Sequence, residues 1–176
     1  MKMDEVGSYL KGIYNTYAER LLSYGMVLCH DKGLVEDALH DTYLDLYRNR
    51  ESFFNAKDPR KYLFAALRYK ILRLMKERPV SYEYDKAVEV SEHLTAEETL
   101  IQKEQLRMQQ TLTKEIIQGL TPRQREVLFL RLEERMSFQE IAEQLYIERQ
   151  SAQNLFGRAI AKMRKMVLSE SIDRLP

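Results

Sequence analysis

Gln150, Asn154, Arg158 and Lys162, with Ser151 and Lys165 beside them, bring amide and cationic groups together near the carboxy-terminal end of the chain. Amide side chains pair bidentately with adenine and guanidinium groups with guanine, while ammonium groups suit phosphate. Such a set can both read a DNA duplex and hold it. At about 100° per residue, a helix over 149–165 gathers Ala152, Leu155, Phe156, Ala159, Ile160 and Met163 on one side. The other side carries Gln150, Ser151, Asn154, Gly157, Arg158, Lys162 and Lys165, and no acidic residue interrupts Arg149 to Lys165. A basic stripe also occurs on ordinary solvated helix faces, so the elements that must position it decide between the two readings.

Two helix starts precede it. Thr121-Pro122-Arg123-Gln124 offers a Thr cap, a Pro at the first helical position and a Gln able to return a hydrogen bond to the cap's own N–H. Ser137-Phe138-Gln139-Glu140 repeats the device as a full capping box, and Ile141, Ala142 and Leu145 follow at the spacing of a buried face. That helix runs to about Leu145, and three residues later the reading helix begins. Two short helices joined by so tight a turn make a helix-turn-helix.

The composition narrows the field. A chain of 176 residues that is 44% hydrophobic and 31% charged has a soluble globular profile of one or two domains, and six Gly with four Pro favour helices over turns. The apolar runs are too short to span a bilayer, and MKMDEVGSY has no apolar signal core, so no direct membrane insertion and a cytoplasmic location are expected. The single cysteine, Cys29, allows no internal disulfide, and with His30, His40 and His93 the only histidines no Cys/His zinc cluster assembles.

The net charge of +1 conceals two unlike segments. Residues 48–78 hold ten basic side chains against three acidic ones, whereas residues 83–104 hold two basic against seven acidic. Two basic modules separated by an acidic connector fit two domains better than one. Pro79 stops the preceding helix, and Thr95-Ala96-Glu97-Glu98 is a fresh capping box from which a helix is expected to run toward Ile117 and end at Gly119. The reading is therefore an all-α chain with domains over 1–78 and 95–176 and a linker over 79–94; a surface loop within one domain is the alternative.

In the amino-terminal module helices are expected at 4–30, 33–50 and 59–76, the last with Asp58 as cap and Pro59 at its first position. On the middle helix Val35, Leu39, Thr42, Tyr43 and Leu46 form the core face. Asp37, His40, Asp41, Leu44 and Arg48 share the opposite one, with Leu44 an apolar group inside a charged arc. A lone exposed Leu needs no cause. Ringed by charge, it reads as the centre of a docking patch.

These runs carry a family resemblance. Val35-Glu36-Asp37-Ala38-Leu39-His40-Asp41-Thr42-Tyr43-Leu44-Asp45-Leu46-Tyr47-Arg48, then Pro59-Arg60-Lys61-Tyr62-Leu63-Phe64, then the helix-turn-helix, are similar to bacterial RNA polymerase sigma factors of the sigma-70 family, extracytoplasmic-function group. The resemblance covers almost the whole chain. It implies that Asp37, His40, Asp41, Leu44 and Arg48 face the clamp of the largest polymerase subunit, His40 standing where Gln is usual. It implies a loop, Ser52 to Asp58, that captures an unstacked base of the minus-10 element. Phe54, Asn55, Lys57, Arg60, Lys61 and Arg68 are the residues assigned there, while Phe53 is read as core; Tyr69 and Arg73 depart from the family's usual Asn and Asp. On the last helix it places Arg149, Gln150, Gln153 and Asn154 near bases of the minus-35 element and Arg158 and Lys162 on phosphate. Glu148, Tyr146 and Gly157 depart from the usual cap, turn and helix residues.

The implied function is that of a sigma factor directing core RNA polymerase to promoter DNA, with no cofactor, no catalytic residue and an anti-sigma factor as a further partner. Two other classes are set against it. A helix-turn-helix regulator acting without polymerase would share the reading helix and have no use for the patch around Leu44. His40-Asp41 also matches the paired ligands of HD-type phosphohydrolases, but His30 and His93 complete no convincing set.

Overall fold

A computed structural model describes residues 3–77 and 116–173, and every regular element among them is a helix. The fold is all-α, and the chain divides into two compact units, Met1–Val88 and Glu89–Pro176. The expected linker over 79–94, its acidic run and the capping box at Thr95 lie outside the described residues.

In the first unit, α1 (Met3–Leu28), α2 (Lys32–Arg48) and α4 (Pro59–Glu77) pack on one another, with the single-turn-and-a-half α3 (Arg50–Phe54) between the last two. Asp31 starts α2 by accepting a hydrogen bond from the Leu34 N–H at 3.0 Å. Asp58 does the same for α4 through the Lys61 N–H at 3.2 Å, with Pro59 at the first position. Leu21, Tyr24, Leu34, Val35, Ala38, Leu46, Leu63, Phe64, Leu67 and Ile71 are buried together, and each large apolar side chain contributes about 1.5–3 kcal/mol by leaving water. The rings of Tyr24 and Phe64 meet at 5.1 Å, tying α1 to α4. Thr42, a polar residue inside this core, donates to the Ala38 carbonyl at 2.7 Å and so enters without an unpaired hydroxyl. Tyr43 is only part-buried, its ring edge-on to Tyr14 at 4.5 Å. Burial, and then the neighbouring Tyr14, push its hydroxyl well above the ordinary tyrosine range.

In the second unit residues 116–118 are helical, and α5 (Pro122–Leu132), α6 (Phe138–Leu145) and α7 (Arg149–Asp173) follow. Both capping boxes form. Thr121 accepts from the Gln124 N–H at 3.3 Å and its own N–H donates to Gln124 Oε1 at 2.9 Å; Ser137 and Glu140 exchange the same bonds at 3.2 and 2.7 Å. Arg131 closes the turn between α5 and α6, its guanidinium donating to the Met136 carbonyl at 2.8 Å and lying 4.8 Å from the Phe138 ring centre. Between α6 and α7, Tyr146 adopts a left-handed backbone at φ 53°, which lets the Ile147 N–H return to the Ala142 carbonyl at 3.0 Å. Leu120, Leu128 and Ala159, with Phe156, Ile160 and Met163 packed against them, seat α7 on α5.

Three expectations are corrected. The segment read as a loop from Ser52 begins as the end of α3, because Asn49 closes α2 and the chain re-enters a helical turn that buries Phe53. The helix α2 starts one residue earlier than its apolar pattern, at the cap that Asp31 supplies. The last helix continues past Lys165 to Asp173, since neither Gly nor Pro stands there to end it.

A Cβ built on Gly25 would lie 2.3 Å from Cγ1 of the fully buried Val35, so α1 and α2 approach as closely as they do only because position 25 is bare. Gly25→Ala is expected to destabilise the first unit by about 1–3 kcal/mol through overpacking. In a Val35→Ala background the same change should be nearly harmless, a coupling that chemical denaturation of the four variants measures.

Candidate nucleic-acid interface

The face that each helix buries fixes which side chains point outward. With Leu34, Val35, Ala38, Leu39, Thr42 and Leu46 in the core, Asp37, His40, Asp41 and Arg48 lie on the exposed side of α2, with Leu44 among them at 40% exposure. Asp45, one step round the helix, pairs with Lys70 of α4 at 2.7 Å and lies 4.0 Å from Arg48, so the edge of the patch is fastened to the neighbouring helix.

At the end of α3, Phe53 is fully buried against Tyr62 at 5.6 Å, while Phe54 is 40% exposed and packs between Phe53 at 5.9 Å and Tyr9 at 5.3 Å. Phe54 is thus partly committed to the fold. Asn55 and Lys57 are exposed, and the Asn55 N–H is already used on the Glu51 carbonyl at 3.0 Å. Arg60 and Lys61 are half-buried, Arg60 lying 3.9 Å from the capping carboxylate of Asp58. Arg68 differs from the other cations of the set. It is 9% exposed and engaged within the fold, because position 68 falls on the inward side of α4 between Leu67 and Ile71. The outward position is Tyr69, 68% exposed, beside a cleft of about 170 Å³ whose walls include Asp45, Lys70 and Arg73. The helical wheel of α4 is the sequence signal for Tyr69, which lies opposite the face of Leu63, Leu67 and Ile71.

On α7 the predicted outward set is largely assembled. Arg149, Gln150, Asn154, Arg158 and Lys162 are exposed and Gln153 is half-buried. Gln150 Nε2 donates to Asn154 Oδ1 at 3.2 Å. That bond leaves Gln150 Oε1 as an acceptor and the Asn154 amide nitrogen as a donor on neighbouring turns, a pattern complementary to the N6–H and N7 edge of adenine. Lys162 does not simply extend into solvent: its ammonium donates to the Gly119 carbonyl, which no periodicity argument could have found across 43 residues. Among the described residues no helix is long and apolar enough to cross a membrane, and no three His, Cys, Asp or Glu side chains group to hold a metal ion.

The family model for sigma-70, region 4, matches residues 112–163, which span α5, α6 and most of α7. No curated protein sequence matches the chain. Among solved structures, the sigma factor RpoE in complex with the anti-sigma factor NepR from Bartonella quintana superposes with a TM-score of 0.65 at 18% identity, over 89% of this chain and 95% of that one. That likeness is one of fold, and it extends the comparison to both units.

Because Lys162 holds the Gly119 carbonyl, Lys162→Met is expected to lower the stability of the second unit by about 0.5–1.5 kcal/mol, read from its thermal midpoint without any ligand. An unchanged midpoint would assign Lys162 to solvent.

Proposed function

We propose that this chain, a sigma-70 family sigma factor with the two-domain build of the extracytoplasmic-function group, brings core RNA polymerase to a small promoter set and opens the minus-10 region, leaving phosphodiester chemistry to the polymerase. The observation that carries the reading is the outward face of α7, where the hydrogen-bonded pair Gln150–Asn154 stands exposed beside Arg149, Arg158 and Lys162 on a helix-turn-helix matching region 4. Bases of the minus-35 duplex fall to Arg149, Gln150, Gln153 and Asn154, phosphates to Arg158 and Lys162. The domain over 95–176 is assigned this task, the domain over 1–78 polymerase docking and the minus-10 strand, and 79–94 the link between them.

Docking uses Asp37, His40, Asp41, Leu44 and Arg48, a charged rim around a partly exposed Leu. That is the arrangement of an interface centre excluding water. Asn55 and Lys57, with Phe54, Arg60 and Lys61 behind them, supply amide, cation and aromatic groups for a base that leaves its stack. Arg68 is better assigned to holding α4 than to touching DNA. The protein acts in the cytoplasm, where the polymerase is, and an anti-sigma factor is its expected regulator, as NepR is seen with RpoE. A helix-turn-helix regulator working without polymerase would account for α7 and leave the α2 face unexplained.

Asp37→Lys with Asp41→Lys should abolish binding to core polymerase at physiological salt while circular dichroism stays that of the parent. Wild-type affinity in the double variant would remove the docking assignment.

Duplex reading and strand capture are separable. Asn154→Ala or Gln150→Ala should weaken binding of the upstream duplex by about 1–3 kcal/mol and blur its sequence preference. Asn55→Ala should spare duplex binding and reduce permanganate-reactive open complex in the presence of polymerase. Equal loss of duplex binding in both variants would contradict the division of labour.

A further inference from the structure

Glycine inside a helix is unfavourable, because the chain gives up more conformational freedom there than with any other residue. One reason for a helical glycine is a neighbour that fills the space a Cβ would need. Gly25 is such a case, with Val35 Cγ1 at 2.3 Å, and outside the regular helices Gly119 is another, with the Met166 side chain at 2.9 Å. Gly157 is not. It lies in the middle of α7, is exposed, and a Cβ built on it meets nothing within 4 Å. The fold itself therefore gives no reason for its bareness.

Its position does. Gln150, Asn154 and Gly157 lie four and then three residues apart and share one line down the outward face of α7, with Arg158 beside them. Side chains on that line shrink from Gln to Asn to none. An Asn amide stands only one carbon beyond its Cβ, so Asn154 reaches a base edge only if the helix axis comes close to the duplex. A side chain one turn further along the same line would hold the helix off. We propose that Gly157 is the point of closest approach between α7 and promoter DNA, the wall of the groove resting on bare helix backbone, and that this seating is what brings Gln150 and Asn154 within reach of the bases. The inference rests on the reading of α7 as the duplex-reading helix.

Gly12 supplies an internal control. It is also exposed and helical, with open space around its absent Cβ, but it belongs to α1 and to no part of the duplex-reading face. Gly12→Ala and Gly157→Ala should both raise the melting midpoint of the full-length protein, since each exchanges a poor helix former for the best one.

Only Gly157→Ala should cost affinity. Holoenzyme assembled from core polymerase and each full-length variant is titrated against the promoter fragment that wild-type holoenzyme selects from genomic DNA. Gly157→Ala is expected to bind about tenfold more weakly and Gly157→Leu about a hundredfold more weakly, with Gly12→Ala unchanged. If Asn154→Ala weakens binding while both Gly157 variants stay within about twofold of wild type, the close approach is refuted and the assignment of α7 stands. If Asn154→Ala and Gly157→Leu both bind as wild type, α7 is not the reading helix and both conclusions fall. Should Gly157→Leu misfold, the stabilised but weaker-binding Gly157→Ala decides alone.

Discussion

The side-chain oxygens of Asp31, Asp58, Thr121 and Ser137 each accept a hydrogen bond from the backbone N–H three residues on, at 3.0, 3.2, 3.3 and 3.2 Å. In a chain whose described elements are all helices, this bond satisfies a first-turn N–H and sets where each of these helices can begin. Side chains advance about 100° per residue, so seating one apolar face on the core then fixes which residues look outward for the whole length of the helix. The charged rim of α2 is what remains once Leu34, Val35, Ala38, Leu39, Thr42 and Leu46 are buried, and the exposed side of α4 is what Leu63, Phe64, Leu67 and Ile71 leave outside.

Packing then converts register into position. The Asp45–Lys70 pair at 2.7 Å is partly exposed and adds about 0–1 kcal/mol; it links the edge of the α2 face to α4, while the buried Leu46, Leu63, Leu67 and Ile71 hold the two helices together. In the second unit Arg131 has a comparable part. Its bond to the Met136 carbonyl and its approach to the Phe138 ring tie α5 to the start of α6, and the edge-on contact of Phe138 with Phe156 at 5.6 Å ties that start to α7.

Much of this was legible in the residues themselves. Thr121-Pro122 and Ser137 with Glu140 announced their helices because the chemistry of a capping box is local, and the six apolar residues of α7 declared its inner face by period alone. What stayed hidden was non-local or went against pattern. Asp31 carries neither signal that marks the other caps, since Leu34 stands where Thr121 and Ser137 have Gln124 and Glu140, and Lys32 where Asp58 has Pro59. The short α3 has too few residues to show a period, and the inward turn of Arg68 depends on where α4 meets the core. The hold of Lys162 on Gly119 is a contact between distant parts of the chain, and the Gln150–Asn154 bond needed a choice of rotamers that sequence does not make.

The turns on either side of α6 carry a second consequence. Arg135 and Tyr146 both adopt left-handed backbone conformations, at φ 52° and 53°, and neither is a residue that does so cheaply. A left-handed position costs a residue with a Cβ about 1–2 kcal/mol, so the eight-residue α6 is bracketed by two stored costs. For anyone redesigning the domain, these are the sites where Asn or Gly would recover free energy without touching the reading surface.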